Sequence, residues 1–355
     1  MFWTAYKHLK NQKRLPKDAL TLCRERDIYS RYIEEATCTI HTIIIHNFQI
    51  MSTISIPKGS LKLAGLLYRP GNTVNKSPAV VVIHPGGGVK EQCSSIYAKK
   101  LSEHGYVAIA YDALYQGDSD GLPRFLEDPG SRVSDASAVA DYLERLDYVD
   151  ANHIFVVGVC AGGGYAVAAA KADHRFKAVA IMSPVNMGDG TRLRMLGDGN
   201  PAQTASPTLD HIADMVRSEI EGSEPIAVPI IPPMGEDPAQ DMKDTHEYYF
   251  TSRGQHPNSQ NKMLLRSVPL IMTWDAWVYA DILLKQPLLI VVGDSSCNKW
   301  HADRLFEQLD GKHERMKRIV RPGAYHVDLY DKPEHVDPTI EEIDSLFKSV
   351  QITDV

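Results

Sequence analysis

The 355-residue sequence predicts an α/β fold, a doubly wound and mostly parallel sheet with helices on both faces and a cap inserted between the sixth and seventh strands. Three observations carry that expectation. From Met51 onward, apolar runs and amphipathic stretches alternate in a strand–helix rhythm. The runs Ala79 to Ile83 and Leu288 to Val292 are continuously apolar, as in strands buried on both faces of a parallel sheet. Between Pro184 and Trp274 the rhythm breaks into a stretch rich in Pro, Gly, Met and Asp.

Ser52 to Ile56 and Leu61 to Tyr68 read as two strands joined by the turn Pro57-Lys58-Gly59. Ala79 to Ile83 is the third strand and ends in His84-Pro85-Gly86-Gly87-Gly88, which cannot continue it. Glu91 to His104 is a helix closed by Gly105, Tyr106 to Tyr111 a strand, and Pro129 to Leu146 a helix. Strand His153 to Gly158, helix Ala161 to Lys171 and strand Phe176 to Met182 repeat the unit. After the break come strand Leu288 to Val292, helix Trp300 to Leu309, strand Arg315 to Val320 and a last helix from Pro333 to Phe347. The expected organisation is a core of residues 51–183 and 275–350 with a cap of residues 184–274. One helix is expected in the cap, around Thr208 to Glu221, and no strand. Residues 1–50, basic at the start and without a hydrophobic leader core, are expected to form a poorly ordered extension.

Composition narrows the function. The hydrophobic fraction of 43% and charged fraction of 23% are those of a globular protein, and a net charge of −7 argues against nucleic acid as a partner. No apolar run nears the roughly 18 residues needed to cross a bilayer, so no membrane partner is expected. The five cysteines are odd in number and widely spaced, which fits a reducing, cytoplasmic setting better than a disulfide framework or a zinc site.

Gly158-Val159-Cys160-Ala161-Gly162 has the G-x-nucleophile-x-G spacing of a strand-to-helix nucleophile turn, with cysteine at its centre. The turn leaves no room for flanking side chains, hence the glycines, and the helix start favours the thiolate of Cys160. The loop His84 to Gly88 is placed to supply one oxyanion-hole amide, and the residue after the nucleophile the other. Gly86 and Ala161 are the candidates, with Gly87 competing for the first role. His326, in the glycine-led loop Gly323 to Asp328 after the last strand, is the candidate general base. A triad acid is expected three or four residues past Gly293, but those slots hold Ser296 and Cys297. Asp294 is the nearby carboxylate and is the candidate for orienting His326. Asp112, at the end of a strand, is expected to anchor a turn. The histidines lack metal-ligand spacing, and no cofactor is expected.

Taken together, VVIHPGGGVKEQ, YQGDSDGLPRFLEDP, GVCAGGGYA and GAYHVDLYDKPEHV resemble the dienelactone-hydrolase-like branch of the α/β-hydrolases, over about Ile54 to Phe347. More narrowly they resemble the group containing the fungal polyketide transferases and thiohydrolases. The resemblance implies a nucleophile at Cys160, a base at His326 and acyl transfer from an ester or thioester, with the acyl chain free or held on a carrier protein. The alternatives are a hydrolase of small esters or lactones, and a non-catalytic binding protein of the same fold.

Overall fold

The computed structural model describes residues 50–71 and 75–353, so the expected N-terminal extension lies, Ile50 aside, outside the described residues. Strands β1 (Ile50–Lys58) and β2 (Leu61–Arg69) form an antiparallel hairpin that turns at Gly59, whose φ of +60° suits a residue without Cβ. Alternation then follows: β3 (Ser77–Ile83), α1 (Cys93–Glu103), β4 (Val107–Tyr111), α2 (Pro129–Glu144), β5 (Val149–Val159), α3 (Ala161–Ala172) and β6 (Phe176–Met182). The insertion contributes α4 (Met187–Leu193), α5 (Pro201–Ile220), β7 (Ala227–Val228), α6 (Gln240–Phe250), β8 (Met263–Leu264), α7 (Ser267–Met272) and α8 (Ala280–Leu283). The chain returns to the sheet with β9 (Leu288–Gly293), α9 (Lys299–Leu309), β10 (Met316–Arg321), α10 (Asp328–Asp331) and α11 (Pro333–Thr353).

The main sheet has eight strands in the order β1-β2-β4-β3-β5-β6-β9-β10. It is antiparallel at β1–β2 and β2–β4 and parallel from β4 to β10. Successive side chains leave a strand on opposite faces, so one buried run feeds two cores. In β3, Val81 and Ile83 pack with Val139 of α2 and Tyr165 of α3, while Val80 and Val82 pack with Tyr97 of α1 and Ile343 of α11. The sheet is therefore covered on both sides, as the unbroken apolar runs require. Strand order reverses between β3 and β5, which pair in register from Val82↔Val157 to Ile83↔Gly158. That places the loop after β3 beside the turn after β5, at the carboxyl ends where such sheets open a crevice.

The insertion is richer than the sequence suggested. It holds several helices and a short antiparallel β7–β8 pair, where one helix and no strand were expected. The first cue was available: Asn200 caps α5 by accepting from the Ala202 amide, and Pro201 sits at the first helical position. The strands are two residues each, too short to leave a periodic signal. No helix among the described residues is long and apolar enough to cross a membrane.

The second core is stitched by aromatic contacts. Phe155 of β5 stacks on Phe347 of α11 with ring centroids 4.2 Å apart, and Tyr106 meets Phe347 edge-on at 5.7 Å. Phe347 is fully buried, so Phe347→Ala removes both contacts and leaves a cavity. The expected cost is about 3–5 kcal/mol, read as a lower denaturation midpoint with an unchanged slope. A loss below about 1 kcal/mol would mean that α11 is not packed as described.

Candidate active site

Cys160 stands between β5 and α3 at φ 56° and ψ −123°, a backbone conformation side chains rarely adopt. The packing around it explains the glycines. A Cβ on Gly158 would lie 2.1 Å from the Gly162 carbonyl oxygen, and one on Gly162 would lie 2.3 Å from that of Ile83. The turn is held by the Cys160 N–H donating to Met182 O at 2.9 Å, while Cys160 O accepts from Gly163 and Val185. The strained conformation of Cys160 is thus held by contacts with both neighbouring strands.

His326, the Tyr330 hydroxyl and the Ala161 amide surround the thiol of Cys160 and favour its thiolate. Burial would push the thiol up, but the imidazolium of His326 and these donors outweigh it, and the thiol is held below its ordinary value. His326 moves the opposite way. Burial opposes its charge, yet the Cys160 thiolate and the Asp241 carboxylate raise it. The pair therefore favours thiolate and imidazolium. Tyr330, one helical turn beyond His326, places its hydroxyl 3.2 Å from His326 Nε2. Burial keeps this phenol neutral, so it remains a donor.

The loop after β3 lies alongside. A Cβ on Gly86 would stand 3.6 Å from Ala161 Cβ, so the two expected oxyanion amides belong to neighbouring turns. Gly86 lines the cavity with Cys160, whereas Gly87 (φ +67°) tucks beneath Ile230. A buried cluster fixes this loop from behind. His84 Nδ1 donates to Pro85 O at 2.7 Å, and its Nε2 accepts from Arg132 Nη1 at 2.7 Å and from the Ala113 amide at 3.1 Å. Arg132 Nη2 donates to His84 O at 2.7 Å, while its Nε faces Glu127 at 3.2 Å. Burial, then the Arg132 charge, holds His84 neutral. Asp112 anchors its turn as expected, accepting from the Lys90 and Asp118 amides at 2.7 and 2.8 Å.

The acid assignment needs correction. Asp294 is exposed, and its Oδ1 accepts from the Gly323 amide at 2.7 Å and from Ser295 Oγ at 3.0 Å. It braces the start of the histidine loop and makes no hydrogen bond to the imidazole. Two other groups attend His326. The Asn298 side-chain amide lies 3.5 Å from Nδ1. Asp241, in the first turn of α6 in the cap, accepts from the His326 amide at 2.8 Å and from the Cys297 amide through its other oxygen. Its carboxylate is buried and carries the charge that supports the imidazolium. Asn298 lies one residue past Ser296 and Cys297, the expected acid slots, and carries an amide rather than a carboxylate. Asp241 lies 85 residues before His326, and no spacing links the two. Tyr330 was legible as the i+4 neighbour of His326.

The cap roofs the site. Ile230, Ile231, Pro232, Met242 and Tyr249 line a mostly apolar cavity of about 270 Å³, with Cys160, His326 and Asn298 on its core side. The cap is tied down by Ser259 Oγ donating to Gly87 O at 2.7 Å and by Arg253 donating to both Asp331 oxygens at 2.9 and 2.7 Å. Cys93, Cys160 and Cys297 are all free thiols.

Comparison with known proteins agrees with this architecture. The model of the dienelactone hydrolase family matches residues 63–237. The uncharacterized Escherichia coli protein YcjY is 39% identical over 293 residues, covering 81% of this chain and 94% of that protein. A Pseudomonas aeruginosa hypothetical protein of known crystal structure superposes with a TM-score of 0.80 at 28% identity, covering 86% of this chain and 95% of that one. A thiohydrolase of Eupenicillium brefeldianum is 26% identical, covering 72% of this chain and 81% of that enzyme. With its sheet order, its glycine-flanked cysteine turn and a relative this similar along most of both chains, the protein belongs to the dienelactone hydrolase family of α/β-hydrolases, a family of hydrolases and acyltransferases.

Proposed function

We propose that the protein hydrolyses or transfers the acyl group of an ester or thioester through an acyl-enzyme on Cys160. The carrying observation is the thiol itself, held at a strained turn beside His326, Tyr330 and the Ala161 amide, which together favour its thiolate. In this reading the thiolate sulfur attacks the carbonyl carbon, and the carbonyl electron pair moves onto oxygen. The N–H groups of Gly86 and Ala161 hold the oxyanion. As the carbonyl re-forms, the leaving thiolate or alkoxide departs with the proton of the His326 imidazolium. Water or an alcohol then gives its proton to neutral His326 as it attacks the acyl-enzyme, and Cys160 leaves as thiolate. No cofactor enters the sequence of steps.

The apolar lining supports an apolar acyl group as substrate, and a cavity of about 270 Å³ favours a compact one. The similarity to a fungal thiohydrolase supports a thioester, including a polyketide chain delivered on a carrier protein. Asn298 beside Nδ1 supports a cysteine–histidine–asparagine arrangement: with its amide turned so that Oδ1 rather than Nδ2 faces Nδ1–H, a neutral side chain orients the imidazolium, because the thiolate forms without help from a strong acid.

Intact-mass measurement tests the proposal. Incubated with a panel of acyl thioesters and aryl esters, the wild type is expected to gain the mass of an acyl group, and Cys160→Ala is not. The decay of that adduct in water against added alcohols separates hydrolase from transferase. If no substrate adds mass or is turned over, and iodoacetamide labels Cys160 no faster than the other thiols, the acyl-enzyme reading fails and a ligand-binding role takes its place.

A further inference from the structure

His301 in the first turn of α9 has no part in the chemistry just described, yet it lines the same cavity. Its side chain is 1% exposed and its ring stacks on Trp300 with centroids 3.6 Å apart. Neither ring nitrogen has a hydrogen-bond partner among the described residues, and Nδ1 is fully enclosed. A buried polar ring without a partner costs stability, and folded proteins keep few of them. Burial, with the charge of His326, pushes its pKa down to about 3, so the ring is neutral and offers one donor and one acceptor. Its Nε2 edge looks toward Gly190 of α4, where a Cβ would stand 3.7 Å from both Nε2 and Cε1. Gly190 also lines the cavity, so the missing side chain leaves room in front of the imidazole. Val185 Cγ1 stands 3.9 Å from that Cβ position, and Met187 and Met195 line the same cavity; none of these three side chains is a strong hydrogen-bond partner.

Resting on the acyl-enzyme reading, we propose that His301 is a specificity-determining residue that hydrogen-bonds an oxygen carried along the acyl chain, so that the preferred substrates are hydroxylated or oxo-substituted acyl groups rather than plain hydrocarbon chains. An imidazole in an apolar cavity penalises a chain that leaves it unpaired and rewards one that supplies a partner. A hydroxyl can meet Nε2 as acceptor or as donor, according to which ring nitrogen carries the proton.

The test uses the full-length protein and N-acetylcysteamine thioesters of octanoate and of octanoates hydroxylated at the third, fifth or seventh carbon. Wild type is expected to favour at least one hydroxyacyl chain over octanoyl in kcat/KM by about 10-fold. In His301→Phe, which keeps an aromatic ring in place, that ratio is expected to fall to near one, and His301→Gln is expected to restore part of it. Gly190→Ala approaches from the opposite wall. Gly190 has an ordinary helical φ, so the methyl is tolerated by the backbone and fills the space the oxygen needs; the same ratio is expected to fall. If octanoyl acylates Cys160 and wild type shows no hydroxyacyl preference, or His301→Phe and Gly190→Ala keep the preference, the assignment of His301 is overturned while the acyl-enzyme reading stands. If no thioester acylates Cys160, that reading falls and this inference with it.

Discussion

Replacing His326 with glutamine is expected to lower the rate of Cys160 acylation by about 10²–10⁴-fold and to move the pH profile of Cys160 alkylation upward. The direction follows from the balance of forces at the sulfur. Burial raises the thiol, and the His326 charge is the largest influence opposing it, ahead of the Tyr330 and Ala161 donors. Without the imidazolium, burial is met by those two donors alone, so the thiolate forms at higher pH. For the wild type, the pair titrates as a unit. Below the lowered Cys160 value the thiol is protonated and attack stops; above the raised His326 value the imidazolium is lost and the leaving group goes unprotonated. A bell-shaped kcat/KM profile is therefore expected, with its acid limb set by thiolate formation and its alkaline limb by the imidazolium. Iodoacetamide alkylation, which needs no general acid, should retain the acid limb and lack the alkaline one. An unchanged alkylation midpoint in His326→Gln would show that His326 does not govern the thiol.

The sequence carried the sheet, the nucleophile turn and the histidine loop because each is local. Five continuous apolar residues at Ala79 to Ile83 can be buried on both faces only within a covered parallel sheet, and that burial is what the structure has. Gly158 and Gly162 flank Cys160 because the carbonyl oxygens of Gly162, within the turn, and of Ile83, on the neighbouring strand, occupy the space any side chain would need, and the G-x-C-x-G spacing records both. The groups that went unseen act across long separations. Asp241 reaches His326 because the cap folds back over the core, and no periodicity in residues 184–274 encodes that return. Asn298 is hidden for a different reason: it is in the right loop, but a neutral amide does not carry the charge that marks an orienting acid in a sequence. His301 is silent in the sequence because a histidine in the first turn of an amphipathic helix reads as surface; its burial follows from the cap's α4 lying against α9.

Asp241→Asn is expected to lower kcat/KM by about 10-fold and to pull the alkaline limb of the pH profile to lower pH, while Asp294→Ala moves neither by more than about 3-fold. The contrast decides which carboxylate serves the histidine. Asp241 accepts from the His326 and Cys297 amides at once, so it clamps the histidine loop to the loop after β9 from the first turn of α6. Asparagine keeps the shape but has one acceptor oxygen. Its amino group must face one of the two amides, donor against donor, and one buried N–H is left without a partner at a cost of about 1–3 kcal/mol. Loss of the charge also removes a contribution that raises His326, so the imidazolium is given up at lower pH. Asp294, by contrast, is exposed and braces Gly323 from outside the cavity; its removal should cost at most about 1 kcal/mol of stability and leave the Cys160–His326 pair intact. Because Asp241 is carried by the cap, α6 bridges the two loops that present His326 and Asn298. The reverse result, a large loss in Asp294→Ala with Asp241→Asn near wild type, would return the acid to the loop after β9 and leave the cap as a lid without a part in the pair.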